Sequence, residues 1–409
     1  MNNRIGGRAA RFIAAAAVAG ALPLAPLHAQ ETIKIGALAP LSSPGSYQQG
    51  PELILGIEWA VEDINKAGGL LGKQVELVVE DTQGRPPTGA TAVEKLITKD
   101  GIVGAAGEYH SSVCTSEIEV FNRYNIPFVI GSCWADSLTE KGYPSIFRTS
   151  VYSSKLAENM AGLIKDNGFK KVVALVEDTD YGVGIAESVK TAFAKFDVPA
   201  SFEYEVVEKT SKDFLPVLLK YKTQVKPDIV IFAVTQPGGF LLLKQANEIA
   251  FAPSAETMVI DGACTSQNDK IFWEAVQDGG KYVMMSCPYS PSVKLTDLGE
   301  SIKARYLEKF DRTPNYLPLQ GYDAAITLLT AIKNAGTTES GAVIAAMKEL
   351  KMDGTRGPIS FSSEEGVWHN QWRDVPTFIF QYTEVNQLSA DAAVLYPPAF
   401  ANAGIAKPE

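Results

Sequence analysis

An α/β protein built from two successive doubly wound lobes is what this sequence predicts, and three observations carry that expectation. Short apolar runs alternate with amphipathic helical stretches along nearly the whole chain. The alternation runs once from residue 33 to 149 and starts again after 150. The 409 residues also exceed what one hydrophobic core holds comfortably, so two or more lobes are expected.

The first run opens with a strand over 33–38, a loop over 40–50 containing Gln48 and Gln49, and a helix from Pro51, a residue suited to a first helical turn. Leu53, Ile57, Ala60, Val61 and Ile64 mark its buried face, and Gly68-Gly69 stops it. A strand over 75–80 and a helix over 88–100 follow. Residues 102–134 then read as strand (102–104), helix and strand (128–130). Val113, Val120, Phe121 and Tyr124 share one face of that helix, and Asn125 and Pro127 end it. A right-handed βαβ unit places both of its loops at the carboxyl edge of a parallel sheet. Ser111, Ser112 and Ser132 therefore converge beside an exposed Trp134. Ser111-Ser112 opens a helix, where free N–H groups and the dipole suit a small anion such as a ligand carboxylate. Simple capping of the helix by Ser111 is the plainer alternative.

The second run reads as strand 146–149, helix 153–167, strand 172–176, a helix carrying Ile185, Val189 and Phe193, strand 201–207, helix 214–221, strand 229–233, helix 239–250, strand 257–261 and strand 282–286. Helices over 298–310, 322–335 and 341–350 follow, with strands over 359–361 and 377–382. The end of the chain thus returns to both lobes. Without a Pro/Ser-rich linker the crossings should be short, and the two lobes should face one cleft, where ligands of such sheets bind.

The formal charge is −10, and removing the three arginines of the first 29 residues (Arg4, Arg8, Arg11), which contain no acid, takes it to −13. So acidic a surface argues against nucleic acid or anionic lipid as the partner. Those 29 residues read as a secretory signal: arginines, an apolar run over 12–24 too short to span a bilayer, and the small residue Ala29 at the expected cleavage point. The product should be a soluble exported protein starting near Gln30. Export to an oxidising compartment permits disulfides among Cys114, Cys133, Cys264 and Cys287, with three possible connectivities. Cys114 and Cys133 follow neighbouring strands, and Cys264 and Cys287 are close in chain order, so bridges would form in those pairs. Free buried thiols are the alternative.

No GxSxG, P-loop, HExxH or complete GxGxxG occurs, and no spacing suggests a metal site or another cofactor site. Only His110 and His369 lie outside the signal, and the adjacency of His110 to Ser111 makes no catalytic pair. An enzyme is not expected.

Three stretches carry a family resemblance. They are IKIGALAPLSSPGSYQQG with GIEWAVEDINKAGGLLGKQVELVVEDTQ, then residues 102–134 continued by LTEKGYPSIFRTS, then ALVEDTDYGVGIAESV. From about residue 33 to 382 the chain resembles the periplasmic binding proteins of branched-chain amino acid ABC transporters, the leucine/isoleucine/valine-binding type. The resemblance implies two Rossmann-like lobes joined by three hinge crossings, near 148–150, 287–289 and 375–378. The lobes would be residues 30–149 with 288–376, and 150–287 with 377–409. It implies a monomer that captures a small carboxylate-bearing ligand and delivers it to the permease subunits in the inner membrane. Ser111, with Ser112 beside it, would meet the ligand carboxylate, Ser132 and Trp134 the amino-acid head, Gln48 or Gln49 would lie over the ligand, and Tyr181 would close from the second lobe. Two positions depart from the pattern: the second-lobe aromatic is Thr235-Gln236, and the glutamate that pairs with the ligand ammonium falls at Gly262, leaving Asp261 adjacent. If Asp261 faces the cleft an amino acid fits. If it caps its own turn, a ligand without an ammonium fits better, such as an aromatic carboxylate, an amide or a urea-like compound. A ligand sensor on the same fold is a further alternative.

Overall fold

The computed structural model describes residues 31–409 other than Gln267; the expected signal, residues 1–29, lies outside the described residues. The first run of elements is β1 (Ile33–Ala39), α1 (Gly50–Lys66), β2 (Val75–Asp81), α2 (Pro86–Lys95), β3 (Ala105–Gly107), α3 (Ser111–Tyr124), β4 (Phe128–Ile130), α4 (Ser137–Glu140) and β5 (Ile146–Arg148). The second is α5 (Ser153–Asp166), β6 (Lys171–Glu177), α6 (Asp180–Lys195), β7 (Ser201–Val207), α7 (Leu215–Lys220), β8 (Ile229–Ala233), α8 (Gly238–Glu248), β9 (Met258–Asp261), α9 (Asp269–Val276) and β10 (Met284–Cys287). There follow α10 (Asp297–Phe310), α11 (Tyr316–Ala335), α12 (Ser340–Lys348), β11 (Lys351–Asp353), β12 (Pro358–Ser360), β13 (Phe378–Gln381) and β14 (Ala393–Tyr396).

Two sheets result. The first, in the order β2-β1-β3-β4-β5, is parallel throughout. The second has the order β14-β13-β10-β9-β8-β6-β7; its β7 to β10 segment is parallel, and β13 and β14 add antiparallel strands at one edge. In each sheet the order reverses, at β1/β3 and at β6/β8, and such switch points open crevices at the carboxyl ends of the strands. The expected α/β class with doubly wound parallel sheets is what the fold shows.

Several element boundaries differ from expectation. The strand expected at 102–104 lies at β3, three residues later, because small Ala105, Ala106 and Gly107 are the residues that pair with Gly36, Ala37 and Leu38 of β1. Helix α11 begins six residues before 322: Asn315 caps it by accepting from the N–H of Leu317, and Pro318 falls in the first turn, where its missing N–H costs nothing. This helix packs on α1 although 250 residues separate them in the chain, roughly, and on β3 and β4 as well. A side chain at Gly56 would lie 2.0 Å from the carbonyl of Pro318, and one at Gly321 2.0 Å from that of Leu53, so two facing glycines let the backbones touch. The strand expected at 359–361 belongs instead to a separate β11–β12 hairpin.

The chain passes between the sheets after β5, after β10 and between Gln371 and β13. Arg148 joins the first and third of these passages. Its guanidinium is fully buried and donates to the carbonyl of Ala135 at 2.6 Å, to Thr139 Oγ1 at 3.0 Å and to Gln371 Oε1. Gln371 in turn donates to the carbonyl of Ser150 at 3.1 Å. Burial lowers the Arg148 pKa to about 10, against the charge of nearby Asp136.

Disulfides join Cys114 to Cys133 and Cys264 to Cys287. They close short loops, with sequence separations of 19 and 23. Chain-entropy arguments give each about 3 kcal/mol of stabilisation.

Candidate functional site

Loops from the carboxyl ends of strands in both sheets enclose a cavity of about 270 Å³. From the first sheet come Gly84 and Pro86 after β2, Tyr109 to Ser112 after β3, and Ser132 and Trp134 after β4; from the second come Glu177 to Thr179, Tyr181, Lys209, Thr235 and Ala263. The volume sits near the lower end of ~300–1,000 Å³ for small-molecule sites.

On one side, Ser111 Oγ accepts from the backbone N–H groups of Trp134 and Ala135, both at 3.1 Å, which leaves its own hydrogen free to donate. The plainer expectation, that Ser111 caps its helix, is not met: the residue at the cap position is His110, with no side-chain cap bond. Ser132 Oγ and Trp134 Nε1 are buried donors with no partner among the described residues. Trp134 was expected to be exposed, yet it is 5% exposed. Tyr181, 5.8 Å away edge to face, and Tyr316, 5.6 Å away, cover it, and both come from distant parts of the chain. Tyr181 donates to the carbonyl of Gly262 at 2.8 Å. Burial raises the pKa of Tyr109 and of Tyr181 well above the usual phenol value, so both stay neutral.

The acids near the cavity are engaged. Glu177 accepts from Thr235 N and Oγ1, both at 2.7 Å, and from Thr179 Oγ1 at 2.7 Å. Asp178 accepts from the backbone N–H of Lys209 at 2.8 Å. Asp261 is folded back onto its own turn, accepting from Ala263 N and Thr265 N at 2.9 Å and from Thr265 Oγ1. Burial pushes its carboxyl up to about 6.

Of the residues expected at the site, Ser111, Ser112, Ser132, Trp134 and Tyr181 meet in this cavity. Gln48 is exposed and outside its lining, and Asp261 is turned away from it. Gln49 and Gln236 bind each other across the interface at 2.6 Å, and Gln236 also donates to the carbonyl of Thr265, so they act as a bolt beside the cavity. Further contacts of the same kind join Asp180 N to Ser112 Oγ at 3.1 Å, Thr115 Oγ1 to Asp180 at 2.7 Å, and Ser188 Oγ to Asp136 at 3.3 Å. Tyr109 and Lys209 were not singled out in the sequence. Lys209 follows the carboxyl end of β7 by two residues, and that position was the available signal.

Behind the wall, Glu108 and Glu117 are fully buried. Burial raises the Glu108 carboxyl from 4.5 to about 7, and raises Glu117 well above its usual value. A carboxyl that keeps its proton when folded but loses it when unfolded weakens the fold as pH rises between those two values. His110, held well below its usual value by burial, acts in the opposite direction below about pH 6.5, so the informative quantity is a difference. The melting temperature of Glu108→Gln minus that of wild type should grow from pH 4.5 to 7 and then level off; a pH-independent difference contradicts this assignment.

Two α/β sheets whose strand ends enclose one ligand-sized cavity, with three chain passages between them, define a bilobal solute-binding architecture. Residues 32–376 match the family model described as periplasmic binding protein, and the chain belongs to that family. A Leu/Ile/Val-binding protein of Rhizobium johnstonii is 29% identical over 340 residues, covering 82% of this chain and 88% of that one. Among solved structures, LivJ of Streptococcus pneumoniae in complex with isoleucine superposes with a TM-score of 0.76 at 21% identity, covering 90% of this chain and 100% of that one. An ABC-transporter solute-binding protein of R. palustris in complex with benzoate gives 0.76 at 19% identity, covering 89% and 96%. The chain is thus a binding protein of the ABC-transporter type with branched-chain amino acid-binding relatives, and not an enzyme. Its family implies a small-molecule ligand, permease partners and a periplasmic setting.

Proposed function

We propose that the cavity captures a small carboxylate without an α-ammonium, an aromatic carboxylate being the best fit, and that the closed protein delivers it to the permease subunits of an importer. The observation that carries this reading is the state of Asp261 beside Gly262. Each oxygen of its carboxylate is committed to its own turn, so no free anion stands where an ammonium would need one. A buried ammonium without an anionic partner is unfavourable by several kcal/mol, roughly. The free donors of Ser111, Ser132 and Trp134 suit a carboxylate, and the rings of Tyr109, Trp134 and Tyr181 suit a flat apolar body.

The two sheets with their helices would act as lobes, residues 30–149 with 288–376 and 150–287 with 377–409, hinged at the three passages. A ligand touching both walls favours the closed form by its differential affinity. A branched-chain amino acid is the second reading, and Glu177 favours it: this carboxylate lines the cavity and has room for one further donor. Isothermal titration of the mature protein with benzoate, leucine and valine separates the two. Benzoate should bind at least about 100-fold more tightly than either amino acid. Leucine or valine binding as tightly as benzoate overturns the first reading.

A further inference from the structure

Three hydrogen-bond donors meet at the imidazole of His110, which is 7% exposed. The backbone N–H of Ser46 points at Nε2 from 3.1 Å, and Lys209 Nζ lies 3.1 Å from Nδ1. Burial and the charge of Lys209 hold the ring well below its ordinary pKa, so it is neutral and carries one N–H of its own. If that hydrogen is on Nδ1 it faces the ammonium. If it is on Nε2 it faces the amide of Ser46. Either tautomer leaves one donor opposed to another, and an acceptor that takes hydrogen bonds from both Nδ1 and Nζ removes the conflict.

Among the described residues neither His110 Nδ1 nor Lys209 Nζ donates to a carboxylate of the cavity wall. Glu177 is bound to Thr179 and Thr235, Asp178 to the backbone of Lys209, and Glu108 to the backbone N–H of His110 at 3.0 Å. His110, Lys209 and Ser111 all line the cavity. Ser111 Oγ is engaged with Trp134 and Ala135, while His110 faces Ser46 and Lys209, so the cavity carries two separate donor sets.

We propose that the ligand carries two acidic ends, one held by Ser111 and Ser132 and the other accepting from His110 Nδ1 and Lys209 Nζ. This rests on the carboxylate reading of the Ser111–Ser132 side. Lys209 is then a specificity-determining residue, and a dicarboxylate is the ligand class.

The test is isothermal titration of the mature protein with benzoate and with its 3-carboxy and 4-carboxy derivatives, in wild type and Lys209→Met. At least one dicarboxylate should bind wild type about 10-fold or more tightly than benzoate, the gain expected from one added charge-assisted hydrogen bond. That ratio should fall to about 2 or less in Lys209→Met, since one such bond is lost. Benzoate binding with neither dicarboxylate tighter overturns the two-ended ligand and leaves the carboxylate reading standing. Failure of all three to bind overturns both. A wild-type ratio that survives in Lys209→Met overturns the role of Lys209. The wild-type comparison needs no variant, and Lys209 is a half-buried residue just past the edge strand β7, so its replacement spares the core.

Discussion

Arg148→Met should lower the unfolding free energy by about 3–5 kcal/mol, the range for breaking a buried charged network by removing one partner. The guanidinium is the shared donor for the Ala135 carbonyl, Thr139 Oγ1 and Gln371 Oε1, and none of these is near solvent. Methionine fills much of the volume but donates nothing, so three buried acceptors lose their partner. Asp136, whose carboxyl burial already raises and Arg148 draws back down, should rise further. Lysine is not a conservative replacement, because a single ammonium cannot reproduce the planar fork that reaches three acceptors. Urea denaturation monitored by tryptophan fluorescence checks this, and a midpoint unchanged from wild type would contradict it. The effect should extend to ligand binding, since Arg148 and Gln371 tie two of the three chain passages together.

Ser111→Ala has two expected consequences that can be read separately. In the free protein it strips the backbone N–H groups of Trp134 and Ala135 of their acceptor, which should destabilise by about 2 kcal/mol or more. In the proposed complex it removes the hydroxyl hydrogen that would donate to the ligand carboxylate, a charge-assisted bond of about 1.5–3 kcal/mol, or roughly 10- to 100-fold in affinity. Titration well below the melting temperature isolates the second effect. A variant that melts lower yet binds benzoate as tightly as wild type would assign Ser111 to the scaffold alone.

Much of the fold was legible because both of its periods are strong. The βα alternation of the first 150 residues shows buried faces at helical spacing, and β6, β8 and β9 are nearly continuous apolar runs, as strands covered on both faces must be. What escaped has physical reasons. β3 is made of Ala-Ala-Gly, which has little strand propensity and was chosen by its pairing with β1, while the more strand-like Ile102 and Val103 precede it. The start of α11 was hidden by Pro318, which reads as a breaker until the Asn315 cap shows it to be in the first turn. β14 pairs only through a register shift with β13, and no local pattern announces such a partner.

The site divides in the same way. The serines on α3 and after β4 were readable because topology alone brings two carboxyl-end loops together. The burial of Trp134 was not, because its cover comes from Tyr181 and Tyr316, the latter nearly 200 residues away, roughly. The orientation of Asp261 was left open by the sequence, which could state both outcomes but not choose between them. The choice depends on whether the N–H groups two and four residues later curl back, and Ala263 and Thr265 do.

The positions of the disulfides bear on when conformational freedom is lost. Cys114 lies in the first turn of α3 behind Ser111-Ser112, and its partner Cys133 stands between Ser132 and Trp134. Cys264 follows the cavity residue Ala263, and its partner Cys287 ends β10, where the chain leaves the second sheet. Each bridge therefore staples a cavity loop to its own scaffold. The entropy of ordering these walls is spent during oxidative folding, before a ligand arrives, and little of it is charged against binding. In the proposed hinged closure, encounter would involve two stiff jaws whose remaining freedom is concentrated at the three passages, and affinity would be set chiefly by how well the ligand spans the gap.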